Sequence, residues 1–193
     1  MGQSEPWVYH GTDHFRAQKA RGVLASVDKP EVVRLHLGAG RKYFRDYINI
    51  DLKGPKLDLV QDIRTLPYGD ETVDEILMIH VIEHIWATKV ELYLKEYYRV
   101  LKKGGKLIME APDLRKVLEF FKQDDPPAGL TYGALYGEGA LKEGEREIED
   151  MHKWCWTYST LRQVAEKVGF KTSEEVAQFH VPQRDFRIVC VKE

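Results

Sequence analysis

His80, Glu83 and His84 stand at i, i+3 and i+4, a spacing that would gather two imidazoles and a carboxylate on one face of a helical turn. Inside a long helix this order, His-x-x-Glu-His, is the inverted zinc-protease arrangement. Here it begins where the continuously apolar run Ile76-Leu77-Met78-Ile79 stops, so it sits at a strand end and the protease reading loses its context. The alternative is that Glu83 and His84 cap the following helix and bind backbone groups. Two more side chains could take a proton from a hydroxyl near neutral pH, His152 and Asp113. His152 is followed by Trp154 and Trp156, which would either line a pocket or pack into the core. A different chemistry is offered by Gly38-Ala39-Gly40, where the backbone can turn sharply and approach a ligand, followed after ten residues by Asp51, a carboxylate able to accept hydrogen bonds from both hydroxyls of a ribose.

These residues need a scaffold that brings them to one edge. Val32-Val33-Arg34-Leu35-His36-Leu37 is a β-rich run that ends at the glycines, and Tyr47-Ile48-Asn49-Ile50-Asp51 follows almost at once. A third run covers residues 57–63 with apolar residues at alternate positions, and a fourth covers 75–79. Val90, Leu94, Tyr97 and Leu101 then share a helix face, with Lys102-Lys103-Gly104-Gly105 expected as its cationic last turn and stop. A fifth strand over 106–110, a helix marked by Leu114, Val117, Leu118 and Phe121, a helical stripe from Leu161 to Val168, and a closing strand over 186–191 complete the order. This alternation predicts an α/β fold, Rossmann-like and doubly wound, with a mostly parallel sheet, helices on both faces and an antiparallel C-terminal strand. Ligands of such sheets bind beyond the strand carboxyl ends. Residues 1–30 are expected as an N-terminal arm or cap and 31–193 as one domain, with an irregular insertion around 123–155 rich in Gly, Pro and acids.

Composition limits the function classes. With 29 Lys and Arg against 31 Asp and Glu, the chain carries a formal charge of −2, so nucleic acid is an unlikely partner and no anionic membrane is addressed. No run is long and apolar enough to span a bilayer, and the N-terminus has no basic start followed by an apolar stretch, so a cytoplasmic location is expected. Cys155 and Cys190 form no Cys-x-x-Cys pair and are expected to be reduced and packed. A dinucleotide fingerprint would need a third glycine where Tyr43 stands and an acid farther along than Asp51, which disfavours NAD.

In order, Leu35-His36-Leu37-Gly38-Ala39-Gly40, Ile48-Asn49-Ile50-Asp51, Asp62-Ile63 before Leu66-Pro67-Tyr68, Val73-Asp74-Glu75-Ile76, His80-Val81-Ile82-Glu83-His84 and Arg99-Val100-Leu101-Lys102-Lys103-Gly104-Gly105 resemble the successive motifs of a class I S-adenosylmethionine-dependent methyltransferase. The likeness is greatest to the type 11 branch related to the quinone-biosynthesis methyltransferases. Leu135-Tyr136-Gly137, the stretch from His152 to Thr157, and Gly169-Phe170 are similar to a compact subgroup. The resemblance implies S-adenosylmethionine as cofactor, S-adenosylhomocysteine as product and a small-molecule acceptor. It implies that Leu37, Gly38, Ala39 and Gly40 form the turn against the methionine part, that Asp51 holds the ribose and that Leu52 flanks the adenine. Asp62 and Ile63 would meet the adenine amino group and ring, and Ile79 and His80 the sulfonium end. One departure from the family is the link from Arg41 to Asp46, too short for more than about one and a half helical turns. Some methyltransferases that resemble the His80–His84 segment bind a divalent ion through two acids and a histidine. His80 stands where the first acid would be, so no metal is expected.

Methyl transfer needs alignment of acceptor, methyl and sulfur more than a protein nucleophile. If the acceptor is a hydroxyl, His80, His152 or Asp113 is the expected catalytic base. A sugar or surface-polysaccharide precursor is the expected acceptor class. The competing readings are a non-catalytic S-adenosylmethionine-binding protein and a nicotinamide-nucleotide reductase or epimerase. Oligomeric state is not readable from the sequence.

Overall fold

The structure, a computed structural model, describes residues 32–137 and 151–193. The expected arm at 1–30 and residues 138–150 of the expected insertion lie outside the described residues. Seven strands are present among the described residues: β1 (Arg34–Leu37), β2 (Ile48–Asp51), β3 (Leu59–Val60), β4 (Val73–Ile79), β5 (Leu101–Pro112), β6 (Phe170–Thr172) and β7 (Asp185–Lys192). They form one sheet in the order β3-β2-β1-β4-β5-β7-β6. The first five pair in parallel, with Leu35 opposite Ile48 on one side and Ile76 on the other, while β7 runs antiparallel to both β5 and β6. The chain moves outward from β1 to β3 and then returns to β4, so the order reverses between β1 and β4, where a doubly wound sheet opens a crevice for ligands.

Among the described residues, four α-helices accompany the sheet: α1 (Ala87–Val100), α2 (Leu114–Phe120), α3 (Tyr132–Tyr136) and α4 (Tyr158–Val168). Helix α1 buries Val90, Leu94, Tyr97 and Val100 along the stripe that the sequence marked. Thr157 opens α4 with a reciprocal capping box to Thr160, and Gly169 at φ 115° closes it in the left-handed conformation. The two helices pack on each other and against the sheet, covering a core that includes Leu35, Met78, Met109, Phe186 and Ile188.

Several boundaries differ from the sequence expectation. Helix α1 stops at Val100 because Leu101 already adopts extended angles, so Lys102-Lys103-Gly104-Gly105 belong to β5 and not to a cationic last turn. Lys102 instead places its Nζ 2.7 Å from both carboxylate oxygens of Asp74. The third strand shrinks to two residues at the sheet edge, β6 was not anticipated, and α3 forms inside the tract expected to be irregular. The connection between β1 and β2, expected to hold at most about one and a half helical turns, carries no helix. Its place is taken by Asn49, whose side-chain oxygen accepts the Phe44 N–H and faces His36 Nδ1, each at 2.9 Å, and whose amide donates to the carbonyls of Phe44 and Tyr47 at 2.9 and 2.8 Å. One buried amide thus supplies the partners that a helix would have supplied internally. Cys155 and Cys190 are free thiols, and no helix of the described residues is long and apolar enough to cross a membrane.

Candidate active site

The carboxyl ends of β1 and β2 lie side by side, which sets the glycine turn against Asp51. Gly38 has φ 68°, and a Cβ on it would lie 2.4 Å from Val81 Cγ2, so both the conformation and the space require glycine. Gly40 also has positive φ, 53°, but nothing lies within 4 Å of the position its Cβ would take. Above this open side, the Gly40 N–H donates to one carboxylate oxygen of Asp51 at 2.7 Å and the Leu52 N–H to the other at 2.6 Å. Each oxygen retains a further lone pair. The open glycine and the pinned carboxylate suit close approach of a nucleoside with two vicinal hydroxyls. Leu52 is exposed, and Ile63 is partly buried against the core. Asp62 is turned toward Arg64, with Nε at 2.7 Å, and that hydrogen bond holds its carboxyl below the usual range. Arg64 is itself largely exposed, which leaves this pair free to rearrange.

Strand β4 ends at buried Ile79, and His80 then takes φ 57°, a left-handed conformation that costs a non-glycine residue about 1–2 kcal/mol. The reward for this turn is contact with two carboxylates: His80 Nδ1 is 2.9 Å from Glu83 Oε1 and Nε2 is 3.0 Å from Asp185 Oδ2. Burial disfavours a charged imidazole here, but the hydrogen bonds to Asp185 and Glu83 outweigh it and raise the His80 pKa to about 9. An imidazolium at this position donates from both ring nitrogens, to Glu83 and to Asp185. Asp185 is also held by Arg184, at 2.7 Å, and lies 3.5 Å from His180 Nδ1. Against the cost of burial, these partners keep its carboxyl far below the ordinary value.

Asp113 is engaged through its side chain. It is the N-cap of α2, accepting the Arg115 N–H at 2.9 Å, although burial pushes its carboxyl up. His152 comes to the site from the distant end of the insertion. The Lys153 and Trp154 N–H groups donate to the Glu83 carbonyl at 2.8 and 3.2 Å, and Trp156 Nε1 donates to the Ile82 carbonyl at 3.3 Å. This clamp brings His152 Nε2 to 4.0 Å from Glu83 Oε1. Its Nδ1–H donates to the Ala134 carbonyl at 2.8 Å, and burial lowers its pKa, so Nε2 carries a lone pair at neutral pH. Neither Glu83 nor His84 caps a helix through its side chain; Ile82–His84 is a single 3₁₀ turn, with no side-chain cap on it or on α1. The residues that sequence reasoning missed are His180, Arg184 and Asp185, brought to His80 by β7. Their only signal was a polar run directly before the closing strand.

Comparison with known proteins agrees with this geometry. Residues 35–109 match the family described as methyltransferase domain. Over that stretch the chain is similar to the S-adenosylmethionine-dependent methyltransferases of class I. It is 27% identical over 172 residues to the ubiquinone/menaquinone biosynthesis C-methyltransferase of Haemophilus ducreyi, an alignment covering 88% of this chain and 61% of that one. Among solved structures, the PH0226 protein of Pyrococcus horikoshii superposes with a TM-score of 0.58 at 20% identity, over 83% of this chain and 81% of that one. A methyltransferase of Archaeoglobus fulgidus gives 0.57 at 17% identity, over 84% and 87%. S-adenosylmethionine is the cofactor that methyltransferases of this kind use, and the fold described above is the one this chain shares with these structures.

Proposed function

We propose that this chain transfers a methyl group from S-adenosylmethionine to a polar small-molecule acceptor. The observation that carries this reading is the Gly40 N–H bound to the Asp51 carboxylate at the switch side of the sheet, with open space over Gly40. When bound, the cofactor supplies a methyl already activated on a sulfonium. Gly38 to Gly40 admit the methionine portion, Asp51 accepts the ribose hydroxyls, and Leu52, Asp62 and Ile63 border the adenine. Ile79 and His80 border the reacting end. A narrow recess beside the end of β5, lined by Glu83, Leu114, Val117, Ala134, Leu135 and Trp154, marks the acceptor side. Glu83 on this recess, His80 and His152 next to Glu83, and Asp185 next to His80 favour a hydroxyl-bearing acceptor such as a sugar or surface-polysaccharide precursor. Among the candidate bases, His152 has its Nδ1 proton fixed on the Ala134 carbonyl, which leaves the Nε2 lone pair to receive a proton.

Calorimetric titration with S-adenosylmethionine and S-adenosylhomocysteine, with NADH and NADPH as controls, tests this. The two sulfur nucleotides bind selectively, and Asp51→Ala weakens them by about 10–100-fold, the loss of hydrogen bonds to a charged acceptor. A folded, ligand-stripped protein that binds none of the four, or binds NADH in preference, overturns the reading.

A further inference from the structure

A buried carboxylate oxygen without a partner calls for an explanation. Glu83 is 1% exposed; its Oε1 is taken by His80, while its Oε2 has no hydrogen-bond partner. Two imidazoles stand next to it, His152 from the clamped segment and His84 from the same 3₁₀ turn, their rings meeting edge to face with centroids 4.7 Å apart. Each has Nδ1 against a main-chain carbonyl, His152 on Ala134 at 2.8 Å and His84 on Met151 at 3.2 Å. A carbonyl accepts only, so each Nδ1 carries the proton and each Nε2 presents its lone pair. One ligand atom from each of Glu83, His84 and His152 lies within 4.8 Å of the other two. Two imidazole lone pairs stand beside an anionic carboxylate, whose Oε1 is 4.0 Å from His152 Nε2 and whose Oε2 receives no hydrogen bond among the described residues. Nothing but a proton or a cation relieves that arrangement, and the carbonyl-fixed Nδ1–H groups are the outer contacts that orient imidazole toward a metal.

We propose that Glu83, His84 and His152 bind a divalent first-row transition-metal ion, with zinc the first to test. Two imidazole nitrogens and one carboxylate oxygen favour such an ion over calcium or magnesium, which take oxygen ligands. Three protein ligands leave a position open beside the acceptor recess. Ligand bonds of about 2.0–2.2 Å require the three side chains to close by roughly an ångström from their present separation. The neighbouring group His80, His180 and Asp185 is a poorer site, although its ligand atoms are equally close. There Asp185 Oδ2 already accepts the Val181 N–H at 3.1 Å, and the Arg184 guanidinium sits 3.5 Å from His80 Nε2, so a second cation would be repelled. His80 acts on the proposed site as a positioning residue that holds Oε1 and leaves Oε2 to the ion. The assignment stands apart from the methyl-transfer reading, since metal binding is measured without cofactor or acceptor.

The test is titration of the chelator-stripped full chain with Zn²⁺ against a chromophoric competitor, followed by the visible spectrum of the Co²⁺ form. One equivalent binds, and Glu83→Gln, His84→Ala and His152→Ala each weaken it at least about tenfold, while His180→Ala leaves it unchanged. Because Glu83→Gln alters a buried pair, the partly exposed His84 provides a second variant whose fold is checked by circular dichroism. Binding that survives His84→Ala and His152→Ala in folded protein, binding abolished by His180→Ala, or a stripped wild-type chain that takes up no Zn²⁺ overturns the proposal.

Discussion

His36 shows how much a single buried side chain can impose on the conditions under which this molecule is stable. It lies in β1 with no exposed surface, gives its Nδ1–H to Asn49, and leaves Nε2 without a partner. Burial lowers its pKa from 6.5 to about 4, only partly offset by the Asn49 contact. The unfolded chain therefore binds a proton between those values that the folded chain refuses, and stability rises with pH across that window. It is complete above about pH 6.5 and is lost as pH falls toward 4. Between pH 7 and 4.5 this residue should cost about 2 kcal/mol. Urea unfolding of wild type and His36→Leu at both pH values checks it: the wild type should lose about that much more than the variant, and equal losses would show that the proton is taken up elsewhere. A histidine in an apolar strand was visible in the sequence, but its missing second partner was not, because that depends on which residues β2 and residues 38–47 bring to it.

At the scale of elements, the connection between β1 and β2 is the most dependent on one residue. Besides its bonds to residues 44 and 47, Asn49 donates to Asp58, and its own N–H donates to the same carboxylate at 2.9 Å. Tyr43 adds a hydroxyl bond to Asp58 at 3.0 Å, and Tyr47 bonds Glu75 of β4. Asn49→Ala leaves buried donors and acceptors unpaired, and a loss of about 2–4 kcal/mol is expected in denaturant unfolding. Asn49→Asp keeps the acceptor, removes the amide donors and sets a charge against Asp58, so it should fall no less far. A loss under about 1 kcal/mol in both would mean that the loop is held by its aromatic contacts instead. The spacing of glycines and Asp51 made the absence of a helix here legible, since too few residues separate the strands. What replaced the helix was not legible: side-chain hydrogen bonds across a loop leave no periodicity. The same reason explains α3 and β6, each too short to show a period, and the 101–105 segment, where a strand begins without the loop that normally announces it. By contrast α1 and α4 carry long buried stripes, and their positions were readable to within a few residues.

Taken as a whole, the sheet has two unequal halves. Strands β4, β5 and β7 are long and pair over many residues, with α1 and α4 packed on them, and they hold most of the fully buried side chains. Strands β1 to β3 have four, four and two residues, and the outermost, β3, leaves Val60 exposed. The residues proposed to bind the cofactor are split across this divide, with Gly38 to Gly40, Asp51 and Asp62 on the short-strand side and Ile79 and His80 on the long one. The order of motifs made the first set legible because glycines and acids at strand ends are local features. The His80, Arg184 and Asp185 cluster joins residues 104 and 105 positions apart, which only the antiparallel return of β7 brings together. Unequal packing predicts unequal opening, since segments with few buried apolar contacts open below the global unfolding free energy. Amide hydrogen exchange should therefore be slowest from Leu107 to Ala111 and from Ile188 to Cys190, and faster at Ile50, Asp51 and Val60. Saturating S-adenosylmethionine, at about 100 times its dissociation constant, stabilises the bound form by about 2.7 kcal/mol. If the ligand bridges the halves, that gain should reach the amides of Gly40, Ile50 and Leu52 even where they open locally. Protection that rises only in β5 and β7 would place the ligand elsewhere, and uniform exchange without ligand would mean that the short strands open only with the whole sheet.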